Sequence, residues 1–428
     1  MESQNVSTKQ QRIAENARRL PEVSFSSLAY HIDLEWMHNA YQQTRKDGVS
    51  GVDGMTADQY AKDLDSRLKS LLERAKSGSY KAPPVRRAHI PKGNGETRPI
   101  GIPTFEDKVL QRVVKMVLEP LYEQDFYSCS YGFRPRRSAH NALSALRKAI
   151  MDVGGGWVLE VDIRKFFDTL KHCHLQSIVK QRVCDGVITR LIGKWLNAGV
   201  QEQTQLSYME DGTPQGGVIS PLLSNIYLHT VLDKWFEQEI KPRLTGSAEL
   251  VRYADDFVIV FRNKTDAERV LAVLPKRFAR YGLSLHPDKT KLVAFGTPGK
   301  DQDGQTFDFL GFTHYWGKTL RGGWAVMRKT AKSRLRRSVK QTHQWCRANR
   351  HTPVKSQWKT LCRKLRGHYN YFAITCNAKS VNAYREQVRR SWFKWLNRRS
   401  NERNLTWDRF EILLKRYPLP RPKIIRIT

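Results

Sequence analysis

Two adjacent aspartates, Asp255 and Asp256, lie inside Val251-Arg252-Tyr253-Ala254-Asp255-Asp256-Phe257-Val258-Ile259-Val260. Strand-forming residues flank them on both sides, so the pattern predicts a strand, a tight turn bearing two carboxylates and a returning strand. Unpaired carboxylates are costly to bury, and such a pair usually coordinates a cation or meets a basic group. A second acidic strand comes earlier. Trp157-Val158-Leu159-Glu160-Val161-Asp162-Ile163 alternates after Gly154-Gly155-Gly156 and ends just before Arg164-Lys165-Phe166-Phe167-Asp168. Asp162, Asp255 and Asp256 together offer hard oxygen ligands of the kind two Mg²⁺ ions accept, with room for phosphate and water. Two such ions roughly 3.5–4 Å apart can activate an attacking 3′-hydroxyl and stabilise leaving pyrophosphate. That chemistry is nucleotidyl transfer.

The elements that must position these carboxylates read as an α+β arrangement. Apolar residues at helical spacing run from about Leu28 to Leu72, before Pro83-Pro84. Phe105 to Leu118 reads as a helix, entered at Pro103-Thr104 and ending at Pro120. From about residue 150 to 300, strands and helices succeed one another in the order of an antiparallel sheet with helices packed on it, including a helix over Lys264–Tyr281. Residues 1–25 are polar, and their composition fits either a frayed helix or an ordered extension.

The charge balance points to a polyanionic partner. The net charge is +33 and the pI about 10.1. The chain has 428 residues, 40% of them hydrophobic, enough for two or three packed cores and unlike a purely basic tail. From Arg321 to Thr428 it carries 29 Lys/Arg against 4 Asp/Glu, a net +25. Trp345, Trp358, Tyr369, Tyr371, Phe372, Trp392 and Trp395 interleave with those charges at helical spacing. The pattern predicts a small helical domain with an aromatic core and a phosphate-neutralising coat. No stretch is long enough to span a membrane. The six cysteines are scattered without a CxxC pair, which suits reduced thiols in a cytosolic protein.

At this point the sequence resembles a known family. Tyr253-Ala254-Asp255-Asp256 is similar to the Tyr-x-Asp-Asp box of reverse transcriptases, and Asp162 to their first catalytic aspartate. The surrounding blocks resemble the reverse transcriptase–maturase proteins of bacterial group II introns. Gly51-Val52-Asp53-Gly54-Met55-Thr56, Arg98-Pro99-Ile100-Gly101-Ile102-Pro103-Thr104 with Asp107-Lys108-Val109-Leu110-Gln111, and Tyr131-Gly132-Phe133-Arg134-Pro135 come in family order. Gly212-Thr213-Pro214-Gln215-Gly216-Gly217 with Ser220-Pro221-Leu222-Leu223, then Leu310-Gly311-Phe312 and Gly367-His368-Tyr369-Asn370-Tyr371-Phe372, complete the series. The resemblance runs from about residue 40 to the C-terminus.

The resemblance implies a right-hand polymerase. Residues 1–80 hold an N-terminal extension and block, 81–300 the catalytic fingers and palm, and 301–428 a basic helical thumb and maturase domain. It implies catalysis by Asp162, Asp255 and Asp256, with two Mg²⁺ ions held by Asp162, Ile163, Asp255 and Asp256. Lys92, Arg98, Phe167, Gln215 and Lys289 would bind the nucleotide, Phe167 beneath the sugar where its ring excludes a 2′-hydroxyl. His368, Tyr369 and Asn370 are candidate RNA contacts, although they suit helix packing equally. The implied partners are the parent intron RNA, an RNA template with DNA primer, dNTPs and target DNA, in the bacterial cytoplasm and at the nucleoid. No paired Cys/His endonuclease cluster follows the maturase region, as in the short members that accompany group IIC introns, so the expected primer source lies elsewhere.

Three other readings share parts of this pattern. A pure RNA-binding maturase would have a degenerate polymerase site, whereas all three carboxylates and Phe167 are present. A reverse transcriptase co-opted for DNA repair or phage defence would carry the same core. An RNA-dependent RNA polymerase usually shows Gly-Asp-Asp and a smaller or polar group in place of Phe167.

Overall fold

The polar N-terminal segment forms the helix Glu2–Arg19 in the computed structural model, which describes residues 2–91, 97–202, 205–208, 211–212, 216–299, 305–399 and 404–426. Val6, Ile13 and Ala17, spaced to share one helical face, are buried there. They pack toward the long helix Phe105–Asp125. Thr104 caps that helix, its hydroxyl accepting from Asp107 N.

The expected stop at Pro120 does not occur: the helix continues to Asp125 with Pro120 inside it. Proline there cannot donate to the carbonyl of Met116, four residues back. The Gln10 side-chain amide donates to that carbonyl instead, at 3.0 Å, so the freed acceptor is satisfied from another helix. The stretch from Leu28 to Leu72 is likewise several elements. A short 3₁₀ turn Leu28–His31 precedes the helices Leu34–Gln43, Ala57–Ala61 and Leu64–Ser77. Asp33 caps the first of these helices, and a Thr56/Gln59 capping box starts the second.

Eleven strands are found among the described residues: β1 (Val85–Pro91), β2 (Thr97–Ile102), β3 (Gly156–Asp162), β4 (Val200–Glu202), β5 (Gln205–Ser207), β6 (Ala248–Tyr253), β7 (Asp256–Phe261), β8 (Lys291–Phe295), β9 (Phe307–Phe309), β10 (Phe312–Lys318) and β11 (Trp324–Thr330). They form sheets of order β2-β1-β4-β5, β6-β7-β3-β8 and β11-β10-β9. β1 and β2 pair antiparallel with Ile90 opposite Arg98. β6 and β7 pair antiparallel from Ala248↔Phe261 to Tyr253↔Asp256. The helix after β7 spans Lys264–Ala279, close to the expected range.

The chain divides into two compact units, Met1–Ala142 with Leu159–Leu292, and Leu143–Val158 with Val293–Thr428. The first contains the sheet of β1, β2, β4 and β5, the hairpin β6–β7 and the helix Phe105–Asp125. The second contains β9–β11 and the helices Lys332–Ala348, Val354–Phe372, Ala378–Leu396 and Trp407–Arg416. Its core gathers Leu361, Leu365, Val381, Val388, Trp392 and Phe410, with Trp345, Trp358 and Trp395 packed at the margin. The expected aromatic core is therefore present. Trp392 is fully buried and its indole N–H donates to Gln357 Oε1 at 3.0 Å. No helix among the described residues is long and apolar enough to cross a membrane.

Candidate active site

β6 and β7 are joined by a two-residue turn, Ala254-Asp255, with Tyr253 opposite Asp256. A two-residue hairpin needs positive φ in its turn to match strand twist. Here Ala254 supplies it, at φ +57°. The turn presents Asp255 half-buried, while Asp256, the first residue of β7, is exposed.

Asp162 ends β3, the strand beside β7. Its main chain is held by the segment before β8: His286 N donates to Asp162 O at 2.8 Å, Arg164 N to Ser284 O at 2.8 Å, and Ile163 bridges Leu285. The same segment then closes a turn, with Lys289 N and Thr290 N donating to His286 O. That turn delivers the Lys289 ammonium to Asp162 Oδ2 at 2.5 Å.

Burial, and after it the negative charge of Asp162, raises the Asp255 carboxyl above the usual carboxylate range; Arg98 and Arg252 pull the other way. The two aspartates therefore sense each other, and the charge of exposed Arg98 on β2 reaches the same site. Among the described residues no three His, Cys, Asp or Glu side chains gather into a metal cage. Asp162 and Asp255 interact, and Asp256, the first residue of β7, is exposed. Two mutually repelling carboxylates with an open side fit a hard divalent ion that retains several waters.

Positive φ at Lys165 (+47°) turns the chain from Asp162 into the short helix Phe166–Thr169. Phe166 is 2% exposed and meets Phe167 edge-on at 5.3 Å and Tyr227 at 6.3 Å. Phe167 is 8% exposed, buried but nearer the surface. Phe166 thus takes the deep core position and leaves Phe167 above it.

Lys92 and Gln215 lie outside the described residues. The glycine that follows Gln215 is described: Gly216 has φ +123°, and a Cβ there would lie 2.5 Å from Gly101 O. Beneath this segment runs a relay that the sequence reading passed over. Gln111 Oε1 accepts from Val218 N (2.7 Å) and Ile219 N (3.3 Å), and its Nε2 donates to Asp107 Oδ2 (2.9 Å). Asp107 Oδ1 accepts from Tyr80 Oη (2.7 Å) and Trp195 Nε1 (2.6 Å). Asp107 is fully buried, and that burial pushes its carboxyl up to about 6 against the pull of these three donors. The available signal was an acid and an amide four apart on one helix.

The helix Val354–Phe372 turns His368 and Tyr369 inward. The His368 ring lies 4.0 Å from that of Tyr384 and 4.6 Å from that of Phe372, and burial lowers its pKa to about 4. Tyr369 Oη donates to Pro420 O at 3.0 Å. Of the three suggested RNA contacts only Asn370 is exposed, because helical periodicity buries its two neighbours.

Residues 90–314 match the family model described as reverse transcriptase (RNA-dependent DNA polymerase). Over 294 residues the chain is 35% identical to Protein YkfC of Escherichia coli strain K12, covering 60% of this chain and 76% of that protein. Over 245 residues it is 36% identical to the group II intron-encoded protein LtrA of Lactococcus lactis subsp. cremoris, covering 55% of this chain and 40% of LtrA. A third relative is the putative COX1/OXI3 intron 1 protein of Saccharomyces cerevisiae, 26% identical over 392 residues, 73% of this chain and 46% of that protein.

Proposed function

Because this chain belongs to the reverse transcriptase (RNA-dependent DNA polymerase) family, with group II intron-encoded proteins among its relatives, we propose that it extends a DNA primer on an RNA template with dNTPs and binds its parent intron RNA to promote splicing and retrohoming into target DNA. The observation that carries the catalytic half is the pair Asp162, at the end of β3, and Asp255, in the turn that enters the neighbouring β7, each within reach of the other's charge.

In this reading Asp162 and Asp255 hold Mg²⁺, with the Ile163 main chain and Asp256 alongside. Bound Mg²⁺ supplies Lewis-acid activation of the primer hydroxyl and neutralises charge on the phosphates. The protein's own groups do the rest. Arg98 offers a planar fork to the triphosphate, and Lys289 and Lys92 offer point charges. Phe167 underlies the sugar and disfavours a 2′-hydroxyl. Gln215 contacts the nucleotide from a glycine-bordered turn, whose following residues are held by Gln111.

Residues 81–300 are read as fingers and palm, and 301–428 as thumb and maturase region. The +25 carried from Arg321 onward supports an RNA grip that weakens steeply with salt. Asn370 is the remaining candidate contact in its motif.

The catalytic half is tested by primer extension on an RNA template with dNTPs and Mg²⁺. Absence of extension by the folded protein overturns it. The partner half is tested by recovering the protein from its native host at stringent salt and sequencing the bound RNA. A single structured intron encoding this protein supports the maturase role, and a diverse pool overturns it in favour of a polymerase serving repair or defence.

A further inference from the structure

We propose that Arg252 is a positioning residue for polymerisation: with Gly132 it fixes the left-handed turn at Ala254 and thereby the place of the Asp255 carboxylate. This rests on the reading of Asp255 as a metal-holding carboxylate.

Arg252 lies on β6 two residues before Ala254, fully buried. All five of its guanidinium N–H bonds have acceptors. Nε donates to Asp233 Oδ1 at 2.7 Å and Nη2 to Asp233 Oδ2 at 2.5 Å. The second Nη2 hydrogen goes to Ser130 Oγ at 2.8 Å, while Nη1 serves Asn225 Oδ1 at 2.9 Å and Ala254 O at 3.0 Å. The last of these bonds holds the turn itself. A residue with a Cβ does not adopt φ +57° cheaply, and such a conformation persists where its surroundings over-determine it.

A second constraint comes from the segment Tyr131-Gly132. Arg252 N donates to Cys129 O at 2.8 Å and Tyr131 N to Arg252 O at 2.9 Å, so this segment runs alongside β6. Asn225, which accepts from Arg252, also donates to Gly132 O at 2.7 Å. Gly132 is then so close to the turn that a Cβ on it would lie 2.3 Å from Ala254 N. Three separate parts of the chain converge on Arg252: residues 129–132, Asn225 on the helix Ser220–Leu228, and Asp233 on the π-helical stretch His229–Ile240. π-helical geometry often marks functional positions.

Stability alone does not call for this arrangement. A buried ion pair is often matched or bettered by apolar residues of equal volume. Apolar replacements, however, have no donor for the Ala254 carbonyl. Lysine keeps the charge opposite Asp233 but has no planar fork to serve four partners at once. Arg252→Lys therefore separates the charge from the positioning.

The test uses the full chain on an RNA template with DNA primer, comparing wild type, Arg252→Lys, Gly132→Ala and Asp255→Ala. Single-turnover extension rate, its Mg²⁺ dependence, template–primer affinity and thermal midpoint are measured for each. The expected result is near-normal template–primer affinity, a single-turnover rate lower by on the order of tenfold to a hundredfold, and a raised Mg²⁺ requirement in both Arg252→Lys and Gly132→Ala. A merely structural role reduces the folded fraction, which scales the amplitude and leaves the rate constant and Mg²⁺ requirement alone; that outcome overturns the proposal. Gly132→Ala leaves every Arg252 donor in place and decides the matter if Arg252→Lys does not fold. Extension by Asp255→Ala overturns the site assignment itself. An inactive Asp255→Ala beside wild-type rate constants in the other two overturns only the positioning role.

Discussion

The Lys289 ammonium stands 2.5 Å from Asp162 Oδ2, and the residue that opens its turn, His286, donates its backbone N–H to the Asp162 carbonyl. One short turn therefore holds both the main chain and the side chain of the first candidate catalytic aspartate. A lysine placed there competes with a divalent cation for the same carboxylate oxygen, and it is exposed enough to swing away toward a triphosphate.

Lys289→Met is accordingly expected to lower the Mg²⁺ concentration for half-maximal extension while raising the KM for dNTP. A Mg²⁺ titration of steady-state primer extension reads both. An unchanged Mg²⁺ requirement would separate Lys289 from the metal site.

Asp255→Ala removes a candidate metal ligand and leaves the basic surface intact. RNA-templated extension should fall by on the order of a thousandfold or more, with RNA affinity by filter binding essentially unchanged. Wild-type-like extension sinks the assignment of the pair Asp162/Asp255.

Phe167→Ala opens space above Phe166. The ratio of ribonucleotide to deoxyribonucleotide incorporation should rise roughly tenfold to a hundredfold, measured by single-nucleotide extension with matched dNTP and NTP. An unaltered ratio returns Phe167 to a packing role.

Asp107 makes a prediction about pH. Burial raises its carboxyl from the ordinary range to about 6, so the folded state binds its proton more tightly than the unfolded chain does. Its contribution to stability is then fully present below about pH 4 and lost as pH rises through about 6, a difference on the order of 3 kcal/mol. Asp107→Asn should flatten the dependence of the thermal midpoint on pH across that window. The substituted amide can still accept from Tyr80 and Trp195 at one oxygen, yet its NH₂ would face the Gln111 NH₂. Gln111 must then flip and lose its bonds to Val218 N and Ile219 N, so the KM for dNTP should rise as well. A midpoint curve parallel to wild type would count against the buried charge.

The carboxylate hairpin and the strand ending in Asp162 are legible in the sequence because alternation and β-branched runs are local signals. So is the aromatic core of the second unit, where helical spacing sorts Trp392 and Tyr369 inward. What holds the hairpin tip is not legible. Ala254 carries no turn signature of the Asn-Gly kind, and its conformation depends on Arg252, Asn225 and Gly132, which approach from up to 122 residues away. Asp107 and Gln111 were visible as part of a motif, but their bonds run to Tyr80, Trp195 and Val218, all distant in sequence. The stop expected at Pro120 failed for the same reason. A local rule about a missing N–H cannot see the Gln10 amide that replaces it, 106 residues away.

That last bond bears on how the protein is made. The helix Glu2–Arg19 leaves the ribosome before the helix Phe105–Asp125, and the carbonyl it satisfies is synthesised roughly 5–20 s later at ordinary translation rates. Until then the face of Val6, Ile13 and Ala17 has no cover from its partner helix. The helix Glu2–Arg19 thus docks late, on a helix made long after it.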